Sequence, residues 1–91
     1  PDYTDPYLAL GVLLHKEGNF EEAANAYKRY YSLDGKNTVA YYDLGNVLES
    51  LGRNSEAISA YRSFLWNWDG DPVIYQRVKE KLERLGAGGM F

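Results

Sequence analysis

Five segments of the chain carry hydrophobic residues three or four positions apart, which is the spacing of one face of a helix. Polar and charged residues fill the positions between them. The sequence therefore predicts five amphipathic helices and an all-α fold. The predicted apolar faces, in chain order, are Tyr7–Leu10–Gly11–Leu14, Ala23–Ala26–Tyr27–Tyr30, Tyr41–Leu44–Gly45–Leu48, Ala57–Tyr61 and Tyr75–Val78–Leu82–Leu85.

Small polar residues and glycines predict where these helices begin and end. Thr4 or Asp5 is expected to cap a first helix that has Pro6 at its first position, where a missing N–H has no consequence. That helix should end near residue 17, because Gly18 suits a left-handed stop. Asn19 followed by Glu22 has the pattern of a capping box. The remaining helices are predicted at about 19–33, 38–51, 55–66 and 72–85, with Asn37 or Thr38 capping the third and Asp71 the fifth.

The second half of the chain repeats the first at a constant offset, with Tyr41 lying 34 residues after Tyr7. An internal repeat with a period of about 20–50 residues indicates a solenoid or array of stacked units. The matched pairs are Tyr7 and Tyr41, Leu10 and Leu44, Gly11 and Gly45, Leu14 and Leu48, Gly18 and Gly52, Glu22 and Glu56, Ala23 and Ala57, and Tyr27 and Tyr61.

These shared residues resemble the tetratricopeptide repeat (TPR) pattern of an aromatic residue, Leu-Gly, a large apolar residue, an alanine and a second aromatic residue. The resemblance implies a right-handed α-solenoid of five antiparallel helices. It divides the chain into repeats at 4–37 and 38–71, a capping helix at 72–85 and a flexible tail at 86–91. It also implies that Gly11 and Gly45 let the paired helices approach closely at Ala23 and Ala57, which would offset the helix-propensity cost of about 1 kcal/mol per glycine.

Two features depart from the family pattern. Tyr30 and Phe64 replace a small residue near the end of the second helix of each repeat, and Gly35 and Asp69 stand where the family has a turn proline. Trp66 and Trp68 are also not required by the family. We expect one of the two tryptophans to pack under the capping helix, with an exposed contact patch as the alternative.

Composition narrows the class of partner. The 91 residues fit one domain, the net charge is −3, and the ten Lys and Arg residues form no basic stripe, so a nucleic-acid partner is not expected. The absence of cysteine excludes disulfides and thiolate metal sites. No apolar run is long enough to predict a membrane span. A chain that opens at Pro1 is interpreted as a segment of a longer protein or a processed form; the compartment is open, with the cytoplasm as the default.

Catalytic, metal and cofactor sites are not expected. His15 is the only histidine and lacks the partner residues that a metal site or a catalytic base requires. The carboxylates are expected to form surface pairs, such as Glu80 with Arg84 one helical turn later. The chain is therefore predicted not to be an enzyme.

The first helix of each repeat should line a concave face that holds a peptide or a helix of a partner protein. Tyr42 is the predicted anchor, and Asn46 is expected to hydrogen-bond a peptide backbone. The alternative is that this face is merely solvated and that binding occurs elsewhere. The predicted groove residues are Leu8, Val12, His15, Tyr42, Asn46, Glu49, Gln76, Arg77, Glu80 and Arg84.

Three functions fit this pattern: a protein–protein interaction module, a structural part of a longer array that self-associates, and a regulatory appendage of a catalytic chain. A weak homodimer is expected because the first helix is apolar on more than one face.

One TPR class binds the C-terminal tails of heat-shock chaperones through a clamp of Lys, Asn and Arg side chains. The matching positions here are Leu8, Val12, Asp43, Val73 and Arg77, of which only Arg77 fits. We therefore expect calorimetry to show no binding of a peptide ending in Glu-Glu-Val-Asp.

Overall fold

The computed structural model describes residues 5–86, which form five α-helices and contain no strand. The helices are α1 (Pro6–Lys16), α2 (Phe20–Ser32), α3 (Val39–Ser50), α4 (Asn54–Asn67) and α5 (Pro72–Arg84). The all-α prediction is confirmed. No helix in this part of the chain is both long and apolar enough to span a bilayer. All but the first residue of the predicted flexible tail at 86–91 lies outside the described residues.

Side chains cap three of the helices. The Asp5 carboxylate accepts hydrogen bonds from the backbone N–H groups of Tyr7 (2.8 Å) and Leu8 (3.2 Å). Asp71 accepts from the N–H of Val73 in the same way, at 2.8 Å. Both predicted aspartate caps are therefore confirmed. At α3 the capping side chain belongs to Asn37, whose oxygen lies 3.0 Å from the backbone nitrogen of Val39.

The predicted capping box at the start of α2 does not form. Asn19 precedes the helix but its side chain makes no capping hydrogen bond. Its backbone carbonyl instead accepts the first helical bond, from the N–H of Ala23 at 2.9 Å. The turns before α2 and α4 are stabilised by their glycines, because Gly18 and Gly52 have φ angles of 78° and 74° that favour a residue without Cβ.

The helices pack in chain order. α1 packs on α2 and α3 packs on α4 as the closest pairs, while α2 contacts α3 and α4 contacts α5. The two mid-helix glycines lie against tyrosine rings of the paired helices. A Cβ on Gly11 would come within 2.9 Å of the Tyr27 ring, and a Cβ on Gly45 would overlap the ring of Tyr61. Close packing at these glycines is confirmed, and the side chain nearest to each is the second aromatic residue of its repeat.

The apolar face of α1 is rotated relative to the prediction. Leu8 is 1 % exposed and belongs to the core, whereas Leu10 is 44 % exposed. The equivalent face of α3, in the second repeat, is covered by α2. The ring of Tyr31 on α2 stacks on that of Tyr41 on α3, with centroids 3.9 Å apart. No described helix lies in the corresponding place before α1, so its aromatic–leucine stripe stays partly exposed.

The connection between the repeats is organised by Tyr30, which departs from the family pattern. Its hydroxyl oxygen accepts hydrogen bonds from the backbone N–H groups of Lys36 (3.0 Å) and Asn37 (2.8 Å). Its ring lies so close to Gly35 that a Cβ there would overlap it. The tyrosine and the glycine together fix the turn that precedes α3, where the family has a proline.

Two ion pairs join the repeats along α2 and α4. Lys28 contacts Glu56 at 2.7 Å, and Arg53 contacts Glu21 at 2.8 Å. Both pairs are solvent-exposed, so each contributes at most about 1 kcal/mol. The register of the two repeats therefore rests chiefly on the apolar core between them.

Candidate functional site

Two clefts lie beside α3 and α5. The first, called here the polar cleft, has a volume of about 360 Å³ and is lined by Asn46, Glu49, Ser50 and Lys81. The second, called here the apolar cleft, has a volume of about 270 Å³ and also includes the end of α4. The residues that line the apolar cleft are Val39, Tyr42, Phe64, Trp68, Ile74 and Arg77.

A hydrogen-bond network fixes the wall of the polar cleft. The hydroxyl of the buried Tyr61 lies 2.7 Å from Oδ1 of Asn46 and 2.8 Å from Oε1 of Glu49, and it can donate its one proton to either oxygen. Arg84 donates to Oε2 of Glu49 at 2.8 Å. The network ties α3 to both α4 and α5, so these side chains are held in place before any ligand binds.

The same network sets the protonation state of Glu49. Partial burial by itself would raise the pKa of this carboxyl, but the hydrogen bonds from Tyr61 and Arg84 outweigh burial and lower it. The positive charges of Arg84 and Lys81 act in the same direction. Glu49 is therefore an anion at neutral pH, paired with a cation from α5.

Lys81 connects the two clefts. Its ammonium nitrogen lies 5.8 Å from the centroid of the Tyr42 ring and 5.9 Å from that of Tyr61, within the range of a cation–π interaction. Lys81 is not among the groove residues that the sequence predicts. The signal was present, because Arg77, Lys81 and Arg84 are spaced four and three residues apart and share one face of α5.

Of the four groove residues predicted on α5, Arg77 lines the apolar cleft and Arg84 contacts Glu49 of α3. Gln76 and Glu80 are exposed and line neither cleft. The predicted pair of Glu80 with Arg84 is replaced by the pair of Arg84 with Glu49. Glu49 offers a carboxylate already oriented by Tyr61, whereas a pair within one exposed helix contributes only about 0.2–0.5 kcal/mol.

Tyr42 and Asn46 are more integral to the fold than expected. The Tyr42 ring lies 6.1 Å from that of Tyr61 and 5.8 Å from that of Phe64, measured between centroids. The Asn46 side-chain oxygen lies 2.7 Å from the Tyr61 hydroxyl, so this side chain helps to join α3 to α4.

The α1 end of the predicted groove is only partly formed. Leu8 is buried, so the prediction that it lines an exposed groove is wrong, because the side chain packs into the core instead. Val12 is half-buried and packs against the same core. His15 is half-buried, with its ring 5.9 Å from that of Phe20 in an edge-on contact. It stays a prediction that a partner is bound by Val12, His15, Gln76 and Glu80.

Asp43 lies half-buried on α3, near His15 and Tyr31. Burial raises the pKa of this carboxyl above its ordinary value, and the nearby charge of His15 offsets only part of the rise. The half-buried phenol of Tyr31 also has a raised pKa, chiefly because of burial, with Asp43 among the groups that add to the rise. The folded structure therefore disfavours the charged form of Asp43 relative to the unfolded chain.

This placement predicts that Asp43→Asn stabilises the fold at neutral pH. The folded chain holds the Asp43 proton more tightly than the unfolded chain, so the parent protein loses stability as the pH rises through the folded pKa. The advantage of the asparagine variant should be present at pH 7 and should disappear in acid, below the ordinary aspartate pKa. Thermal melts at a series of pH values test this, with the exposed Asp69→Asn as the control. A lower melting temperature for Asp43→Asn at pH 7 would show that attraction to His15 outweighs burial.

The two tryptophans have different environments. Trp66 is 89 % exposed. Trp68 stacks on Phe64, with ring centroids 4.9 Å apart and planes 22° apart, and its indole N–H donates to the backbone oxygen of Asp71 at 3.0 Å. The prediction that one tryptophan packs is confirmed, and the packed residue forms a wall of the apolar cleft.

A family model for the tetratricopeptide repeat matches residues 14–63, which is more than half of the chain. The chain belongs to the tetratricopeptide repeat family. The matched span runs from the second half of α1 through most of α4. The comparison with curated proteins gave no match. TPR repeats are typically non-catalytic and mediate contacts between proteins, so this TPR chain is a protein–protein interaction module in the general sense.

Proposed function

We propose that this TPR chain binds a peptide or helix of a partner protein along the face formed by α3 and α5. The observation that carries the proposal is the pair of adjoining clefts with fixed walls. The polar cleft offers a cation and an anion, and the apolar cleft offers aromatic surface. An extended segment crossing both would meet apolar and charged groups in succession.

The fixed walls favour binding for a physical reason. Ordering a long side chain at an interface costs about 0.5–1.5 kcal/mol, and much of that cost is already met where Tyr61, Glu49 and Arg84 are hydrogen-bonded in the free protein. Tyrosine, tryptophan and arginine are also the residue types that contribute most at interfaces. Tyr42, Trp68 and Arg77 supply one of each at the apolar cleft.

Selection of binders from a random peptide library, followed by mapping of amide chemical-shift changes, tests the proposal. The largest shifts should fall on α3 and α5 beside the two clefts. Lys81→Ala should weaken the selected peptides roughly tenfold, or about 1.4 kcal/mol. Lys28→Ala, which removes an exposed cation on α2, is the matched control and should leave affinity unchanged. Shifts confined to α2 and the outer side of α4 would refute the groove as the site.

A second candidate function is self-association through the exposed stripe of α1. Leu10 is 44 % and Leu13 is 52 % exposed, and no described helix covers them. Complete burial of one leucine contributes about 1.5–3 kcal/mol. Two half-exposed leucines from each copy therefore contribute little more than the minimum cost of association, about 4 kcal/mol. Any dimer should consequently be weak.

We expect sedimentation to show a concentration-dependent dimer at high micromolar protein, and Leu13→Glu to make the protein monomeric. The substituted carboxylate would have to be buried in the interface without a partner, which is strongly unfavourable. Val73→Glu, at an exposed apolar position on α5, serves as the matched control and should leave the equilibrium unchanged. A parent protein that stays monomeric over the whole range would refute self-association.

A further inference from the structure

We propose that the apolar cleft binds one apolar side chain of a partner peptide, and that Arg77 binds the carboxylate of an aspartate or glutamate next to it. This inference rests on the proposed function and names the chemistry of the segment bound. It concerns a cleft that depends on Trp68, a residue outside the repeat pattern. The occupant is an internal stretch of a partner protein, not a chain end.

Trp68 makes the cleft a fixed feature of the fold. The ring is stacked on Phe64 on one side, and its N–H is bonded to the backbone of Asp71. On another side it lies against Gly70, where a Cβ would come within 2.5 Å of the ring. The indole therefore has little freedom to swing into the cleft and close it.

The size of the cleft fits a single side chain. Pockets that bury a drug-sized ligand have volumes of about 300–1,000 Å³, and this one has about 270 Å³. The walls supplied by Val39, Ile74 and the aromatic residues are apolar. An aromatic or large aliphatic side chain would bury its surface there without leaving a polar group unpaired.

Arg77 supplies the charge complementarity. It lines the cleft on the α5 side, its side chain is exposed, and it makes no ion pair within residues 5–86. Arg84, another cation of α5, differs because it is already paired with the Glu49 carboxylate. A guanidinium at the edge of an apolar surface favours a planar carboxylate, which it can bind through two parallel hydrogen bonds.

The helix ends beside the cleft disfavour a terminal carboxylate. Recognition of a chain end typically uses free backbone N–H groups. At the start of α5 the N–H groups of Val73, Ile74 and Tyr75 are all bonded to Asp71. At the start of α3 the N–H groups of Val39 and Ala40 are bonded to Asn37. Arg77 is thus the charged donor that lines the apolar cleft itself, and one side-chain carboxylate satisfies it.

Tryptophan fluorescence provides a direct test. Trp66→Phe removes the exposed tryptophan and leaves Trp68 as the only reporter, at a position that forms a wall of the cleft. The probe is the peptide Ala-Ala-Phe-Asp-Ala, acetylated and amidated so that it has no terminal charge. We expect a saturable change in Trp68 emission at peptide concentrations up to about 1 mM. Replacing Phe by Ala in the peptide should abolish the change, and replacing Asp by Asn should weaken binding roughly tenfold.

Variants of the protein complete the test. Arg77→Gln, at an exposed position, should weaken the acidic peptide roughly tenfold and leave the Asn peptide unaffected. Lys79→Gln, a cation on the same helix that does not line the cleft, is the matched control and should change neither. Equal affinity for the Asp and Asn peptides would overturn the role of Arg77. Tighter binding of a free acid ending at Phe would overturn the choice of a side-chain carboxylate.

Absence of any saturable change in Trp68 emission would overturn the inference as a whole. The proposed function has a separate readout, because library-selected peptides report on binding to either cleft. Selected peptides that shift α3 and α5 amides but leave Trp68 emission unchanged would leave the proposed function standing and refute this inference. Selected peptides that shift neither helix would refute both.

Discussion

Gly45→Leu should lower the free energy of unfolding by about 1–3 kcal/mol or more, the range found for overpacking a dense core. Even a Cβ alone at this position would overlap the Tyr61 ring. That ring is fully buried and its hydroxyl lies within hydrogen-bond distance of Asn46 and Glu49 on α3, so it cannot move aside cheaply. Helix propensity predicts the opposite result, because leucine is the better helix former by several tenths of a kcal/mol.

Thermal and urea unfolding measure the effect, and each kcal/mol should shift the melting temperature by about 4–8 °C in a domain of this size. Gly11→Leu is the matched variant in the first repeat. The clash with Tyr27 is less severe there, because a Cβ would lie 2.9 Å from the ring, so we expect a smaller loss at Gly11. A Gly45→Leu variant as stable as the parent would show that the helices do not approach closely at this glycine.

Tyr61→Ala should be the most damaging truncation that also touches the candidate site, costing about 3–5 kcal/mol. The side chain is fully buried, packs on Gly45 and Tyr42, and orients Asn46 and Glu49. Folded domains are stable by only about 5–15 kcal/mol, so this loss is a large part of the total. Unfolding by urea, monitored by circular dichroism, checks the magnitude.

Tyr61→Phe separates the packing from the hydrogen bonds. It keeps the ring and removes the hydroxyl, so its cost should be about 0.5–1.5 kcal/mol. The hydrogen bond from Tyr61 helps to lower the pKa of Glu49, and a lowered pKa contributes stability that is lost as the pH falls through it. The difference between parent and Tyr61→Phe should therefore be largest at neutral pH and shrink in acid. A difference that is constant with pH would show that the hydroxyl does not act through Glu49.

The groove shows which of its residues could be predicted from helical spacing and which could not. Tyr42, Asn46 and Glu49 were predicted to share a face from their spacing alone, and two of the three form the polar wall with Tyr61. On α5 the spacing predicts Gln76 and Glu80 with Arg77 and Arg84 beside them, and only the two arginines meet the face turned toward α3. Spacing defines which residues share a stripe of a helix, but the rotation of that stripe depends on what the helix packs against.

Helix α1 also shows that a sequence pattern does not determine which residues are buried. Its sequence matches α3 at four apolar positions, yet Leu10 is largely exposed where Leu44 is buried. The difference arises because α2 covers α3 and no described helix covers α1 in the same way. Burial is a property of neighbours, so an identical local pattern gave two different environments.

The sequence by itself determined the all-α class, the five helices, their glycine stops, the aspartate caps and the repeat with its two close-packing glycines. These features depend on residues within a few positions of one another or on an exact recurrence along the chain. The tertiary structure decided the burial of Leu8, the pairing of Arg84 with Glu49, the place of Lys81 near the Tyr42 and Tyr61 rings, and the cleft walled by Trp68. Each of these contacts joins different helices, and the distance and rotation between helices arise only when their side chains pack against one another.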